Sequence, residues 1–198
     1  MKIAIMQPYF FAYEGYFELI SSVDLIVFLD DAQYVRRSWI NRNQIYTNKK
    51  IDKKYLTVPI AKSPINSKIK DIKIAKKWTT DHINVLKNNY KKESNFYNFY
   101  ESLDHHIFLC PMLVESIKWT CDFLKIKINY SFSSVFPSNE KSENRVIELC
   151  KKFNAKHYYN LPNGEKIYNK LKFMENNISL NFLNTDKFEK ISIINRIL

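Results

Sequence analysis

Two short apolar runs near the start of the chain leave few folds open. Lys2-Ile3-Ala4-Ile5-Met6-Gln7 is apolar, is too short for a helix and stops at Pro8. Asp24–Asp31 holds five apolar residues closed by two carboxylates. Between them, after Gly15, come Phe17, Leu19, Ile20 and Val23, spaced as on one face of a short helix. Strand, loop, helix and strand make a βαβ unit, whose crossover is right-handed and whose strands are parallel. In open parallel sheets ligands bind at the carboxyl ends of the strands. Gln7 and Asp30–Asp31 fall at such ends, so the pattern already points to a site.

The rest of the chain fits around that unit. Residues 44–47 and 55–60 read as a hairpin, and 61–73 as a polar linker. From 74 to 125 the pattern is largely helical, with Leu113, Ile117, Cys121 and Leu124 on one face and Pro111 suited to a first turn. Residues 126–132 read as a strand. Residues 142–153 read as a helix with Val146, Ile147, Cys150 and Phe153 on one side. Strands are expected at 156–160 and 178–183, with a helix over 164–175. The expected fold is α/β: a Rossmann-like parallel sheet flanked by helices, with a β-hairpin and a helical insertion. With 198 residues and no linker-like composition, a single domain spanning 1–198 is expected.

Composition excludes several classes. An apolar share of 45% rules out a disordered chain, and no run approaches a membrane span. The apolar start is too short for a signal peptide. Three widely separated cysteines, Cys110, Cys121 and Cys150, make neither a disulfide framework nor a metal knuckle. Together these features predict a reduced, cytoplasmic protein. The net charge of +11 suits an anionic partner. It is spread over doublets such as Lys49-Lys50, Lys53-Lys54, Lys76-Lys77, Lys91-Lys92 and Lys151-Lys152, which also read as solvated surface.

Four constellations are candidates for chemistry. The first is the aromatic stretch after the first strand, with Gln7, Tyr9, Tyr13, Gly15 and Tyr16. A loop ahead of a helix brings backbone N–H groups to an anion, and Gly15 permits close approach or positive φ. The same aromatics also read as packed core. The second is Asp30-Asp31 with Gln33. Carboxylates at a buried strand end need a cation, hydrogen-bond donors or a substrate amine, so they read as a general base, a metal holder or a solvated turn. The third is the polar loop with Arg36, Trp39, Asn41, Arg42 and Asn43: arginine forks for phosphate, an indole for stacking, amides for hydroxyls. The alternative is an exposed basic loop. The fourth is Ser142–Arg145, a helix start where Ser142 or Asn144 caps and Arg145 suits phosphate.

Histidines are weak signals. His82 and His105-His106 have no partners at metal-ligand spacing, and no metal site is assigned. His157 stands on an expected strand near Asn160 and Gly164. No motif specifies a cofactor.

At these constellations the sequence resembles the WbqC-like family. The resemblance rests on Met6-Gln7-Pro8-Tyr9-Phe10-Phe11, Tyr13, Gly15-Tyr16-Phe17, Asp30-Asp31-Ala32-Gln33-Tyr34 and Trp39-Ile40-Asn41-Arg42-Asn43, with weaker matches at Ser142–Arg145, His157-Tyr158 and Gly164. It departs at Ala12, where the family usually has proline, and over the short 187–198 end. The resemblance implies a place in bacterial surface-polysaccharide biosynthesis of the O-antigen type. A second, more distant likeness is to nucleotidylyltransferase-type Rossmann domains. Their His-x-Gly-His loop corresponds to Tyr13-Glu14-Gly15-Tyr16, with tyrosines where those enzymes have phosphate-binding histidines.

These likenesses favour an enzyme that transfers an acyl or aminoacyl group to the amine of a nucleotide-linked amino sugar. Asp30, Asp31 and Tyr16 are the expected catalytic groups. Gln7, Tyr9, Tyr13, Gly15, Gln33, Arg36, Trp39, Asn41, Arg42, Asn43, Ser142, Arg145 and His157 are the expected substrate contacts. The expected partners are a nucleotide-linked sugar and an acyl donor, for which an aminoacyl-tRNA would use the positive charge. Two rivals stay open: a nucleotidylyltransferase-like enzyme activating a small acid or sugar phosphate, and a non-catalytic binding protein of a glycan assembly complex.

Overall fold

In a computed structural model, describing residues 1–47, 50–75, 77–90 and 95–198, the two apolar runs become neighbouring parallel strands. In chain order the elements are β1 (Lys2–Met6), α1 (Glu14–Ser21), β2 (Leu25–Phe28), β3 (Arg42–Thr47), β4 (Asp52–Thr57), α2 (Thr79–Tyr90), α3 (Asn95–Ser102), α4 (Leu109–Phe123), β5 (Tyr130–Phe132), α5 (Ser142–Lys152), β6 (His157–Asn160), α6 (Lys170–Glu175), β7 (Ser179–Phe182) and α7 (Ile194–Ile197). Lys49, Lys76, Lys91 and Lys92 of the basic doublets lie outside the described residues. The chain forms two compact units, each assembled from separate stretches.

The first unit holds Met1–Gln7, Glu14–Asp31 and Cys121–Glu189. Its five-stranded sheet has the order β5-β2-β1-β6-β7, with every pairing parallel. Counted within the sheet, that is 3-2-1-4-5, the doubly wound order. The chain reverses direction across the sheet between β1 and β6. The carboxyl rim therefore carries Gln7 after β1, Asp30 and Asp31 after β2, Ser133 and Ser134 after β5, and Asn160 at the end of β6. Ile3, Ile5 and Val27 pack with Val146, Ile147, Leu149 and Cys150 of α5 and Phe173 of α6 in one core cluster. Side chains alternate along strands, so Ala4, Met6, Ile26 and Phe28 face the other way. The β1-α1-β2 crossover, of a type that is right-handed in nearly all parallel sheets, buries Tyr16, Phe17, Leu19 and Ile20 of α1.

The protein has only two glycines, and neither has positive φ. Gly15 lies in the first turn of α1, so of its two expected uses, close backbone approach or positive φ, the second is not realised. The left-handed residue that ends a helix is supplied by other side chains. Lys125 (φ 60°), Asn154 (φ 53°) and Asn177 (φ 58°) follow α4, α5 and α6. At each, the next residue's N–H closes back on the third-last helical carbonyl: Ile126 to Cys121 at 2.8 Å, Ala155 to Cys150 at 2.8 Å and Ile178 to Phe173 at 3.0 Å. This is the Schellman arrangement, which satisfies carbonyls the helix leaves open.

The second unit holds Pro8–Tyr13, Ala32–Thr120 and Lys190–Leu198. β3 and β4 form its antiparallel hairpin, from Arg42 opposite Thr57 to Thr47 opposite Asp52. The hairpin begins and ends a few residues earlier than expected. Its core is aromatic: Phe11 stacks on Tyr100 at 5.4 Å, and Phe10, Trp78, His82 and Phe96 surround them. The terminal segment belongs to this core, with Ile193, Ile194 and Ile197 buried and the Ile193 N–H donating to Ala12 O at 3.0 Å. Residues 61–73, expected as polar linker, bury Ile69 and Ile72 and pair through Gln33–Lys68 and Lys73–Phe108 bridges. In the first unit, the helix expected over 164–175 divides into a 3-10 turn at Pro162–Lys166 and α6.

Candidate functional site

The carboxyl rim of the first unit concentrates buried polar groups. Asp30, 5% exposed, accepts from the Ser134 N–H at 2.9 Å and the Ser134 hydroxyl at 2.6 Å, and lies 3.1 Å from the Ser133 oxygen, whose single proton serves the nearer Asp31. It ties the end of β2 to the end of edge strand β5. Asp31 accepts from the Ser133 hydroxyl and from Arg145 Nη2, the latter at 2.9 Å. Its side chain is 14% exposed. Arg145, on the first turn of α5, is 6% exposed. Besides Asp31 it donates to Glu148 Oε2 at 2.9 Å, Ser133 O at 2.7 Å and Phe136 O at 2.8 Å. A buried charge is tolerated only when paired and hydrogen-bonded, and Arg145 is both. Glu148 is held below the usual carboxylate range, first by the Ser138 hydroxyl and then by Arg145.

Among the expected residues, Asp31 meets Arg145 beside Asp30, and Tyr16 meets Gln7 at the end of the neighbouring strand, but with altered duties. The buried Tyr16 hydroxyl donates to Gln7 O at 3.0 Å, so it fixes the chain as it leaves β1. Arg145 points inward to carboxylates and carbonyls, where phosphate binding was expected. Ser142 is exposed with φ 49° and caps nothing; Lys141 precedes α5 without a side-chain cap. His157 is not brought to this rim. It opens β6 opposite Lys2, at the amino edge of the sheet, and is exposed.

Apart from Gly15 in α1, the remaining expected contacts belong to the second unit. Tyr9 and Tyr13 are half-buried. Asn43 is buried and donates to Phe10 O at 3.2 Å and Phe11 O at 2.8 Å. It thereby steadies Phe11, a buried non-glycine residue with φ 38°. Asn41 is 5% exposed; its amide donates to Val58 O at 2.9 Å, while its Oδ1 is buried with no partner. Gln33 and Arg36 are exposed and donate to Ile65 O and Ser63 O, each at 3.2 Å. Trp39 is 43% exposed, with its ring 6.4 Å from that of Tyr55, and the Arg42 guanidinium lies 4.3 Å over the same Tyr55 ring. Arg36, Trp39, Arg42 and Tyr55 thus form an accessible cationic and aromatic face, the surface type that takes phosphates and bases. Burial raises the pKa of nearby Tyr34.

Sequence reasoning missed Ser133, Ser134 and Glu148. A Ser-Ser pair closing a strand of a parallel sheet was the available signal, since that position is the carboxyl rim. Glu148, three residues after Arg145, was legible as a helical ion pair.

The fold defines an α/β protein with a doubly wound parallel sheet and a buried polar network at its carboxyl rim. The chain belongs to the WbqC-like protein family, whose profile matches residues 7–191. It is 27% identical over 195 residues to the uncharacterized protein Rv1507c of Mycobacterium tuberculosis (strain ATCC 25618 / H37Rv), covering 94% of this chain and 84% of that protein. No solved structure matches the chain. No helix among the described residues is long and apolar enough to cross a membrane.

Proposed function

We propose that this protein is a transferase of bacterial surface-glycan biosynthesis, moving an acyl or aminoacyl group onto the amine of a nucleotide-linked amino sugar. The observation that carries this reading is Asp31. It sits at the carboxyl rim of a doubly wound sheet, oriented by Arg145 and Ser133, and is the less buried of the acidic pair. Each carboxylate oxygen has two lone pairs, so Asp31 can accept one more hydrogen bond. In the reaction, the sugar amine gives its proton to Asp31 as nitrogen attacks the acyl carbonyl, and the donor's leaving group departs with the bonding electrons. Asp30 and Tyr16 are positioning residues here. Asp30 holds the β5 end and Tyr16 holds the Gln7 carbonyl. Taken by itself, the second unit offers stacking on Trp39 and positive charge from Arg36 and Arg42. An aminoacyl-tRNA donor would draw on the same face and on the +11 charge, and its binding would weaken steeply with salt.

The test is turnover of nucleotide-linked amino sugars with acyl and aminoacyl donors, followed by mass spectrometry. Asp31→Asn is expected to lower the rate by about 10²–10⁴-fold, the usual worth of a general base. Unchanged turnover in Asp31→Asn removes the base role. A second reading, a non-catalytic binding protein of a glycan assembly complex, is favoured by Asp30, whose two oxygens are both occupied by protein donors. It predicts ligand binding without turnover.

A further inference from the structure

In the second unit three side chains converge. A 3-10 turn over Leu103–His105 leads into His106, and α4 begins three residues later and carries Glu115. His106 Nε2 lies 2.6 Å from Glu115 Oε2, and His105 Nε2 lies 3.8 Å from the same oxygen. All three ligand atoms lie within 4.8 Å of one another. The two imidazole centroids are 3.9 Å apart.

The hydrogen bonding fixes what these atoms are. His105 Nδ1 sits 2.5 Å from Ser102 O. A carbonyl oxygen only accepts, so Nδ1 carries the proton. Nε2 is then the ring atom left to take a cation, and it faces the Glu115 carboxylate. An imidazole whose second nitrogen donates to a backbone carbonyl is the arrangement seen at metal-ligating histidines, where the outer bond sets tautomer and ring angle.

We propose that His105, His106 and Glu115 form a binding site for a divalent transition metal of the zinc class. The donor set is two nitrogens and one oxygen, which suits Zn²⁺, Co²⁺ or Ni²⁺ and not the oxygen-seeking Mg²⁺ or Ca²⁺. Tetrahedral Zn²⁺ with bonds of about 2.0–2.2 Å spaces its ligands roughly 3.3–3.6 Å apart. The observed 2.6 and 3.8 Å straddle that separation and the third pair lies within 4.8 Å, so closing the site takes side-chain rotation of the histidines. With side-chain exposures of 60% for His105 and 37% for Glu115, the ion is reachable from solvent. Three protein ligands leave a fourth position for water or a ligand. Sequence spacing hid the set, because an adjacent His-His pair with a glutamate nine residues on is no recognised metal motif. Only the turn into α4 brings the glutamate back over the pair.

The experiment strips the full-length protein with chelator and titrates it with Zn²⁺ and, separately, Co²⁺. One equivalent should bind, with the visible absorption of four-coordinate Co²⁺. Glu115→Gln and the double variant His105→Asn/His106→Asn should each weaken binding by at least about tenfold. Far-UV circular dichroism checks that the variants keep the fold. Failure of the wild-type protein to bind either ion overturns the site and leaves Glu115 as a hydrogen-bonded partner of His106. Unchanged binding in both variants also overturns it, placing the metal elsewhere.

Discussion

Replacing Arg145 by alanine strips the carboxyl rim of its central donor. Asp31 loses its guanidinium partner and keeps only the Ser133 hydroxyl, while Glu148 keeps Ser138. Ser133 O and Phe136 O lose donors as well. Breaking a buried ion pair from one side costs about 3–5 kcal/mol, because the abandoned charge stays buried. The Asp31 and Glu148 side chains are 14% and 27% exposed, so water partly replaces the lost partner. That puts the expected cost near the lower end, about 3 kcal/mol. Arg145→Lys keeps the charge but not the fork, and should recover about half of the loss. Urea denaturation followed by circular dichroism measures both. A cycle with Asp31→Asn should give a coupling of about 1–3 kcal/mol, since the two residues touch. A loss below about 1 kcal/mol in Arg145→Ala, the range of exposed pairs, refutes the reasoning.

Three further outcomes can be checked in the same way. Burial pulls the His82 pKa down to about 4 from an ordinary 6.5, with Nε2 donating to Thr57 O and Nδ1 accepting from Tyr100. The unfolded chain takes up this proton first as pH falls. The contribution is therefore complete above pH 6.5 and is lost on descent towards pH 4, by about 3 kcal/mol; His82→Gln should flatten that part of the stability profile relative to wild type. At Gly164 a Cβ would meet Asn160 Nδ2 and Phe182 Cε1, each at 2.9 Å, so Gly164→Ala should lower stability by about 1–3 kcal/mol in urea melts. Lys125 is exposed with φ 60° in its Schellman turn, so Lys125→Gly should raise stability by roughly 1 kcal/mol; a loss would show the lysine side chain has a packing role.

Much of the fold was written in local pattern. Runs such as Ile3–Met6 and Leu25–Phe28 are apolar on both sides because a parallel sheet is covered on both faces, and that doubling is visible residue by residue. The helical stripe of Val146, Ile147 and Cys150 was equally legible, as was the burial of Cys121 and Cys150. The acidic pair could be placed at the carboxyl rim because strand ends follow from strand positions.

What local pattern does not carry is the direction of a long polar side chain. Arg145 had the position of a phosphate ligand, and it turns inward because Asp31 comes to it from a distant part of the chain. Asn43 had the look of a sugar contact, and it turns inward because the Phe10 and Phe11 carbonyls need a donor. His157 was assigned to the right strand but lies at its amino end, and a strand has two ends with different neighbours. Periodicity thus determined which residues form strands, helices and core, since burial of one face is a local property. Which polar groups meet, and whether they spend their hydrogen bonds on each other or keep one for a ligand, depended on long-range closure of the chain.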